Sequence, residues 1–215
     1  QGDPSAAEDT LRTALQQGQK VADIYHALGM LYLRLSGAKD ENRNEYLKGA
    51  ISEFEYEVKL NPQSFDGHLN LAKAHTELEH PNEALREYET ALKLNPKVPD
   101  TYIGLAVLNN SSQRYPYAVK YLQEYIKLSP NKGPGYALLS RMHLNMREYA
   151  KAIETGKLAA QTMPDSGSSW YILAQAYSYQ PTKQDWNAAV DAYQHVIKLV
   201  PNWANAHYEL GRALE

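Results

Sequence analysis

The stretch Ala84-Leu-Arg-Glu-Tyr-Glu-Thr-Ala-Leu-Lys-Leu-Asn-Pro96 decides the fold, because its parts return along the chain at one interval. Its closing proline has counterparts at Pro62, Pro130, Pro164 and Pro201, with successive gaps of 34, 34, 34 and 37 residues from Pro62 onward. Matching endings are Val58-Lys-Leu-Asn-Pro62, Ile126-Lys-Leu-Ser-Pro130 and Ile197-Lys-Leu-Val-Pro201. Its opening alanine returns as Ala50, Ala118, Ala152 and Ala189, each twelve residues before its proline. The next residue is β-branched or leucine: Ile51, Leu85, Val119, Ile153, Val190. A fixed period of this length marks a stacked array of one supersecondary unit.

Six residues after each proline comes an aromatic or histidine: His68, Tyr102, Tyr136, Trp170, His207. A leucine and a small residue follow, as in Leu71-Ala72, Leu105-Ala106, Leu139-Ser140, Leu173-Ala174 and Leu210-Gly211. His68, Leu71, Ala72 and His75 fall on one face of a helix, and so do Ala84, Leu85, Tyr88, Ala91 and Leu92. Each period is therefore expected to hold two antiparallel amphipathic helices. Small residues beside large ones let their axes approach. The proline, barred from a helix interior, separates one hairpin from the next. Asp66 and Asp100 are expected to accept the free amides at the start of the following helices.

These residues resemble the tetratricopeptide repeat. The carriers are the aromatic-x-x-Leu-Gly/Ala-x-x-Tyr pattern of the first helix, with Trp170-Tyr-Ile-Leu-Ala-Gln-Ala-Tyr177 the best match, the alanine–aromatic–alanine pattern of the second, and the closing proline. The resemblance implies an all-α, right-handed superhelical solenoid whose first helices line a concave groove. On this register the chain is one solenoid over 1–215: a half unit at 5–18, full units at 22–64, 65–98, 99–132, 133–166 and 167–203, and a half unit at 204–215. Beginning and ending inside a repeat, it reads as a piece of a longer array. Two units carry insertions, a polar loop around Ser36–Asn44 and three residues near Gln180–Asp185.

The 22 basic and 25 acidic residues nearly balance, with no basic stripe, which argues against a nucleic-acid partner. No apolar run reaches the ~20 residues of a membrane span, so no membrane insertion is expected. With no cysteine there is no disulfide framework and no thiolate metal site. Both cytoplasm and bacterial periplasm are compatible.

Nothing points to catalysis, a metal or a cofactor. His68, His75, His143 and His207 occupy packing columns. His75 and His80 are five apart, so they do not share a helix face as a zinc-protease pair would. No phosphate-binding glycine loop or nucleophile elbow occurs. Glu53, Glu55 and Glu57 read as a solvated face, and Tyr149 as core.

The functional face lies about 100° further round each first helix. We expect a peptide-binding groove formed by Asn70, Lys73, Ile103, Val107, Asn110, Leu138, Arg141, Tyr171, Gln175 and Tyr179. Exposed apolar residues among polar ones are the mark of a recognition patch. Tyr171 and Tyr179 are read as lying off the core. The family's carboxylate clamp is incomplete, because its positions hold His26, Leu69, Ile103, Gly104 and Leu138. Of the asparagine ladder of other members, only Asn70 fits. The reading is a non-catalytic scaffold binding a protein or peptide partner. The alternative is the substrate-selecting region of a larger enzyme or of a secretion or assembly component. Leu210 and Leu214, with Leu11 and Ala14, predict weak self-association through the array ends.

Overall fold

The computed structural model describes residues 3–18, 21–37, 41–179 and 183–214. All regular structure among them is helical. The chain forms two compact units, Gln1–Leu108 and Asn109–Glu215.

The first unit holds α1 (Pro4–Gln16), α2 (Val21–Ser36), α3 (Arg43–Leu60), α4 (Phe65–Glu77), α5 (Pro81–Leu94) and most of α6 (Pro99–Ser111). Here α2 pairs with α3 and α4 with α5, while α3 also packs on α4. The alanine column sits where helices cross, with Ala50 and Ala84 fully buried. One turn on, Phe54 and Tyr88 fill the space between axes at 0% and 2% exposure. Burying a ring of that size contributes about 1.5–3 kcal/mol. The approach is close enough to demand glycine in the facing helix: a Cβ on Gly29 would lie 2.6 Å from the Phe54 ring.

The second unit continues with α7 (Tyr115–Leu128), α8 (Gly133–Asn145), α9 (Tyr149–Thr162), α10 (Gly167–Ser178), α11 (Lys183–Leu199) and α12 (Ala204–Leu214). Consecutive helices from α7 to α12 pack on one another, and α8 also meets α10. Ala118, Ala152 and Ala189 are fully buried, and Tyr193 joins Ala174, Ala189 and Ala192 in one core cluster.

Two kinds of turn recur. Before each proline the backbone still closes a helical bond to the residue four back, from Asn61, Asn95, Ser129, Met163 and Val200 at 2.8–2.9 Å. In four of the five repeats the ring six residues beyond then reaches back to the proline carbonyl. Tyr102 Oη and Trp170 Nε1 donate to Pro96 and Pro164 at 2.9 and 2.8 Å. His68 and His207 Nε2 stand 3.2 and 2.8 Å from the carbonyls of Pro62 and Pro201. That column therefore takes rings with a polar tip, because the tip ties the turn shut for roughly 0.5–1.5 kcal/mol.

The turn inside a hairpin is equally regular. Glu79, Gln113 and Arg147, 34 residues apart, adopt φ of 58°, 57° and 59°. The following amide bonds back five residues, from His80 to His75, Arg114 to Asn109 and Glu148 to His143, at 2.7–2.9 Å. This is the Schellman ending of a helix, here built without glycine.

Several expectations are corrected. The side chain capping α4 is Ser64, whose Oγ accepts from Gly67 N at 3.0 Å. Asp66 lies within the first turn, as does Asp100 in α6, where carboxylates still favour the positive end of the helix dipole. Ser36, Arg43 and Asn44 are helical rather than looped: the insertion lengthens α2 and α3 to 16 and 18 residues, against 13 and 14 in the next hairpin. Residues 38–40 and 180–182 of the two insertions lie outside the described residues.

Glu53 and Glu57 are not solvated: they are 7% and 5% exposed, one turn apart on the inner face of α3. Glu57 accepts from Ser64 Oγ at 2.5 Å and meets His26 Nδ1 at 2.9 Å, and that contact raises the His26 pKa. Burial pushes the Glu53 carboxyl up, with Arg12 Nη2 at 3.4 Å opposing it. Arg12 also donates to Tyr32 Oη at 2.8 Å, so α1 is held partly by a polar network.

Candidate functional site

The predicted strip is best followed within each unit. In the first, Asn70 and Lys73 stand on α4 and are half-buried. Asn70 Nδ2 points to Met30 Sδ at 3.4 Å. Lys73 Nζ lies 3.8 Å from Asp100 Oδ2. Ile103 is half-buried, and Val107 is 41% exposed. Leu69, one position away, is buried.

In the second unit Asn110 and Leu138 are half-buried, and Arg141 is exposed. An open cavity of about 750 Å³ gathers Arg141, Leu144, Asn145, Arg147, Tyr149, Tyr171, Gln175, Tyr179 and Asn205. Four strip residues, Arg141, Tyr171, Gln175 and Tyr179, thus meet in one place, whereas Asn110 and Leu138 do not line it. The spacing explains the convergence: Tyr171, Gln175 and Tyr179 lie at i, i+4 and i+8, one stripe of α10 ending on its C-cap residue Tyr179.

The two tyrosines differ. Tyr179 is 60% exposed and stacks on Tyr149 at 5.5 Å and 8°. Tyr171 is half-buried, stacked on Trp203 at 4.8 Å and 20°, with its edge to Tyr193 at 5.8 Å and 66°. Burial raises its pKa. Tyr171 therefore belongs to the packing as well as to the cavity, because α12 brings Trp203 over it. Tyr149, read as core, is half-buried and lines the cavity.

Three other lining residues escaped the sequence reading: Arg147, Leu144 and Asn205. Arg147 sits on the left-handed turn and is aimed by it. The 34-residue spacing of Glu79, Gln113 and Arg147 was the available signal, but no glycine marked the turn.

His68 and His143 are buried and bonded. His68 Nδ1 meets Glu87 Oε2 at 2.7 Å, and His143 Nδ1 meets Glu148 Oε2 at 2.6 Å. His75 and His80 do come together, with Nδ1 atoms 3.4 Å apart. The Schellman turn folds one back over the other, so no shared helix face is needed. Among the described residues no group of three potential ligands could hold a metal ion. Among them, too, no helix is long and apolar enough to cross a membrane. At the chain ends Tyr208 and Leu214 are 67% and 65% exposed, while Leu210 packs against the Tyr193 cluster.

A family profile for the tetratricopeptide repeat matches residues 69–132. Residues 69–132 thus carry tetratricopeptide repeats. The matched span runs from within α4 through α7 to the proline turn at Pro130. No curated protein sequence matches the chain significantly. Several solved tetratricopeptide-repeat-like structures share the fold. MamA is 22% identical over 86% of this chain and 95% of its own, with a TM-score of 0.70. PilF of Pseudomonas aeruginosa is 18% identical over 90% of this chain and 87% of its own, with a TM-score of 0.73. YrrB, described as a TPR protein with an unusual peptide-binding site, is 16% identical over 93% and 96%, with a TM-score of 0.68.

Proposed function

We propose that this tetratricopeptide-repeat chain is a non-catalytic scaffold that binds a peptide segment of a partner protein on the exposed faces of its first helices. The observation that carries the reading is the second unit's cavity, where Arg141, Tyr171, Gln175 and Tyr179 converge from a strip chosen on sequence grounds alone. The chemistry suits a peptide. Gln175, Asn145 and Asn205 each carry an amide donor and an acceptor, the needs of an extended backbone. Tyr179 offers a flat face with a polar tip, a common hot-spot chemistry. The likeness to YrrB, described as carrying a peptide-binding site, points the same way.

The test is an array of random dodecapeptides probed with the purified chain and with a Gln175→Ala, Tyr179→Ala variant. A subset should bind the wild type and lose at least about tenfold in affinity with the variant, ~1.4 kcal/mol. Binding that survives these changes but is abolished by Lys120→Glu, on the exposed side of α7, would place the partner on the outer helices and overturn the reading.

A further inference from the structure

The cavity's charge is one-sided. Arg141 and Arg147 both line it, and among the described residues no carboxylate does. Neither guanidinium has an ion pair or hydrogen bond among the described residues. The acids close by are engaged elsewhere. Glu148 meets His143 and Lys151 at 2.6 and 2.9 Å. Glu209 accepts from Arg212 at 3.1 Å. Two unpaired arginines facing one recess are unusual in a chain whose net charge is −3. Arg147 cannot swing far from the recess at its base, since its backbone is held at φ 59° by the Schellman bonds on either side.

From this we infer that the partner segment carries an acidic side chain, aspartate or glutamate, whose carboxylate seats between Arg141 and Arg147. The inference rests on the peptide-binding reading and names the residue that reading leaves open. Guanidinium groups offer planar, paired donors that match a carboxylate, and charge-assisted bonds of this kind are about twice as strong as neutral ones. The acid comes from within the segment rather than from its end. Asn145 on α8, Gln175 on α10 and Asn205 on α12 bring amides to the recess from three different helices. A through-running backbone needs them on both sides of the anchored residue, and a terminal carboxylate on one only.

The experiment takes dodecapeptides retained in the array and resynthesises each in three forms: free C-terminus, C-terminal amide, and amide with every Asp and Glu changed to Asn and Gln. Binding is followed by fluorescence anisotropy at low and high salt. The amide should bind like the free form. The Asn/Gln form should lose roughly tenfold or more, and the acidic forms should weaken with salt. Arg141→Gln and Arg147→Gly should each erase the preference for the acidic form. Glycine suits the left-handed backbone, so the second change removes the charge without straining the turn. Thermal melting of both variants should match the wild type.

If the Asn/Gln peptides bind as tightly as the acidic ones, and still depend on Gln175 and Tyr179, the acidic anchor is wrong and the peptide-binding reading stands. If amidation alone abolishes binding, the carboxylate is terminal and the inference is overturned in favour of end recognition. If no peptide responds to any of these substitutions, both readings fall.

Discussion

A close backbone approach in the first unit makes a quantitative test. In Gly29→Ala the new Cβ would lie 2.6, 2.7 and 2.8 Å from Cε1, Cζ and Cδ1 of Phe54. Ordinary carbon–carbon contact is about 3.5–4.0 Å, so the ring must retreat by roughly 1 Å. Phe54 has nowhere easy to go, since it is fully buried against Ala50 and Leu71. Overpacking of this kind costs about 1–3 kcal/mol. Against it, alanine in a helix interior gains about 1 kcal/mol over glycine. The net loss is then about 0–2 kcal/mol, the difference of two opposing effects. A double-mutant cycle removes the ambiguity. Phe54→Leu withdraws the ring, and the helix-propensity gain cancels between the two backgrounds. The coupling between Gly29→Ala and Phe54→Leu should be about 1–3 kcal/mol, read from urea midpoints followed by circular dichroism. An alanine effect equal in both backgrounds would mean that these helices do not meet at Gly29, and the hairpin packing described above would be wrong.

Two further outcomes are expected. His75 is buried, and burial, with the charge of His80 second, depresses its pKa below the ordinary 6.5. The unfolded chain therefore takes up that proton at higher pH than the folded one, so stability should fall as pH drops through about 6.5. His26, raised by Glu57, contributes with the opposite sign, so the comparison is with His75→Phe, whose stability-versus-pH slope between pH ~6.5 and ~5 should be flatter; an unchanged slope refutes the assignment. Tyr171→Ala should lower stability by at least about 1 kcal/mol, because it removes the stack on Trp203 and the edge contact with Tyr193. Tyr179→Ala, on a mostly exposed ring, should stay within about 1 kcal/mol; equal losses in thermal melting would show that Tyr171 is no more part of the core than Tyr179.

Periodicity made the scaffold legible before any coordinates. The alanine column must be small because helix axes cross there, and all five members are fully buried. The proline column ends helices because proline has no amide to continue them. Both rules are local or nearest-neighbour, so they repeat with the chain and can be read from it. The ring column was legible as bulk but not as chemistry. Its hydrogen bond to the proline carbonyl depends on how a turn closes in three dimensions.

What escaped the sequence shares one physical cause: it depends on which residues from different helices face each other. Glu53 and Glu57 have the charge of surface residues, and only the packing of α3 turns them inward beside Arg12 and His26. Tyr171 is on the predicted stripe of α10, but Trp203 from the next hairpin half covers it. Arg147 enters the cavity through a left-handed turn that no glycine announces. The amino-acid sequence by itself determined the repeat, the helix pairs and the stripe on which recognition residues stand, because those follow from spacing along one chain. The tertiary structure decided which of those residues share a cavity, which are engaged in packing, and where two guanidinium groups are left without a partner among the described residues, because those outcomes are set by contacts between residues far apart in sequence.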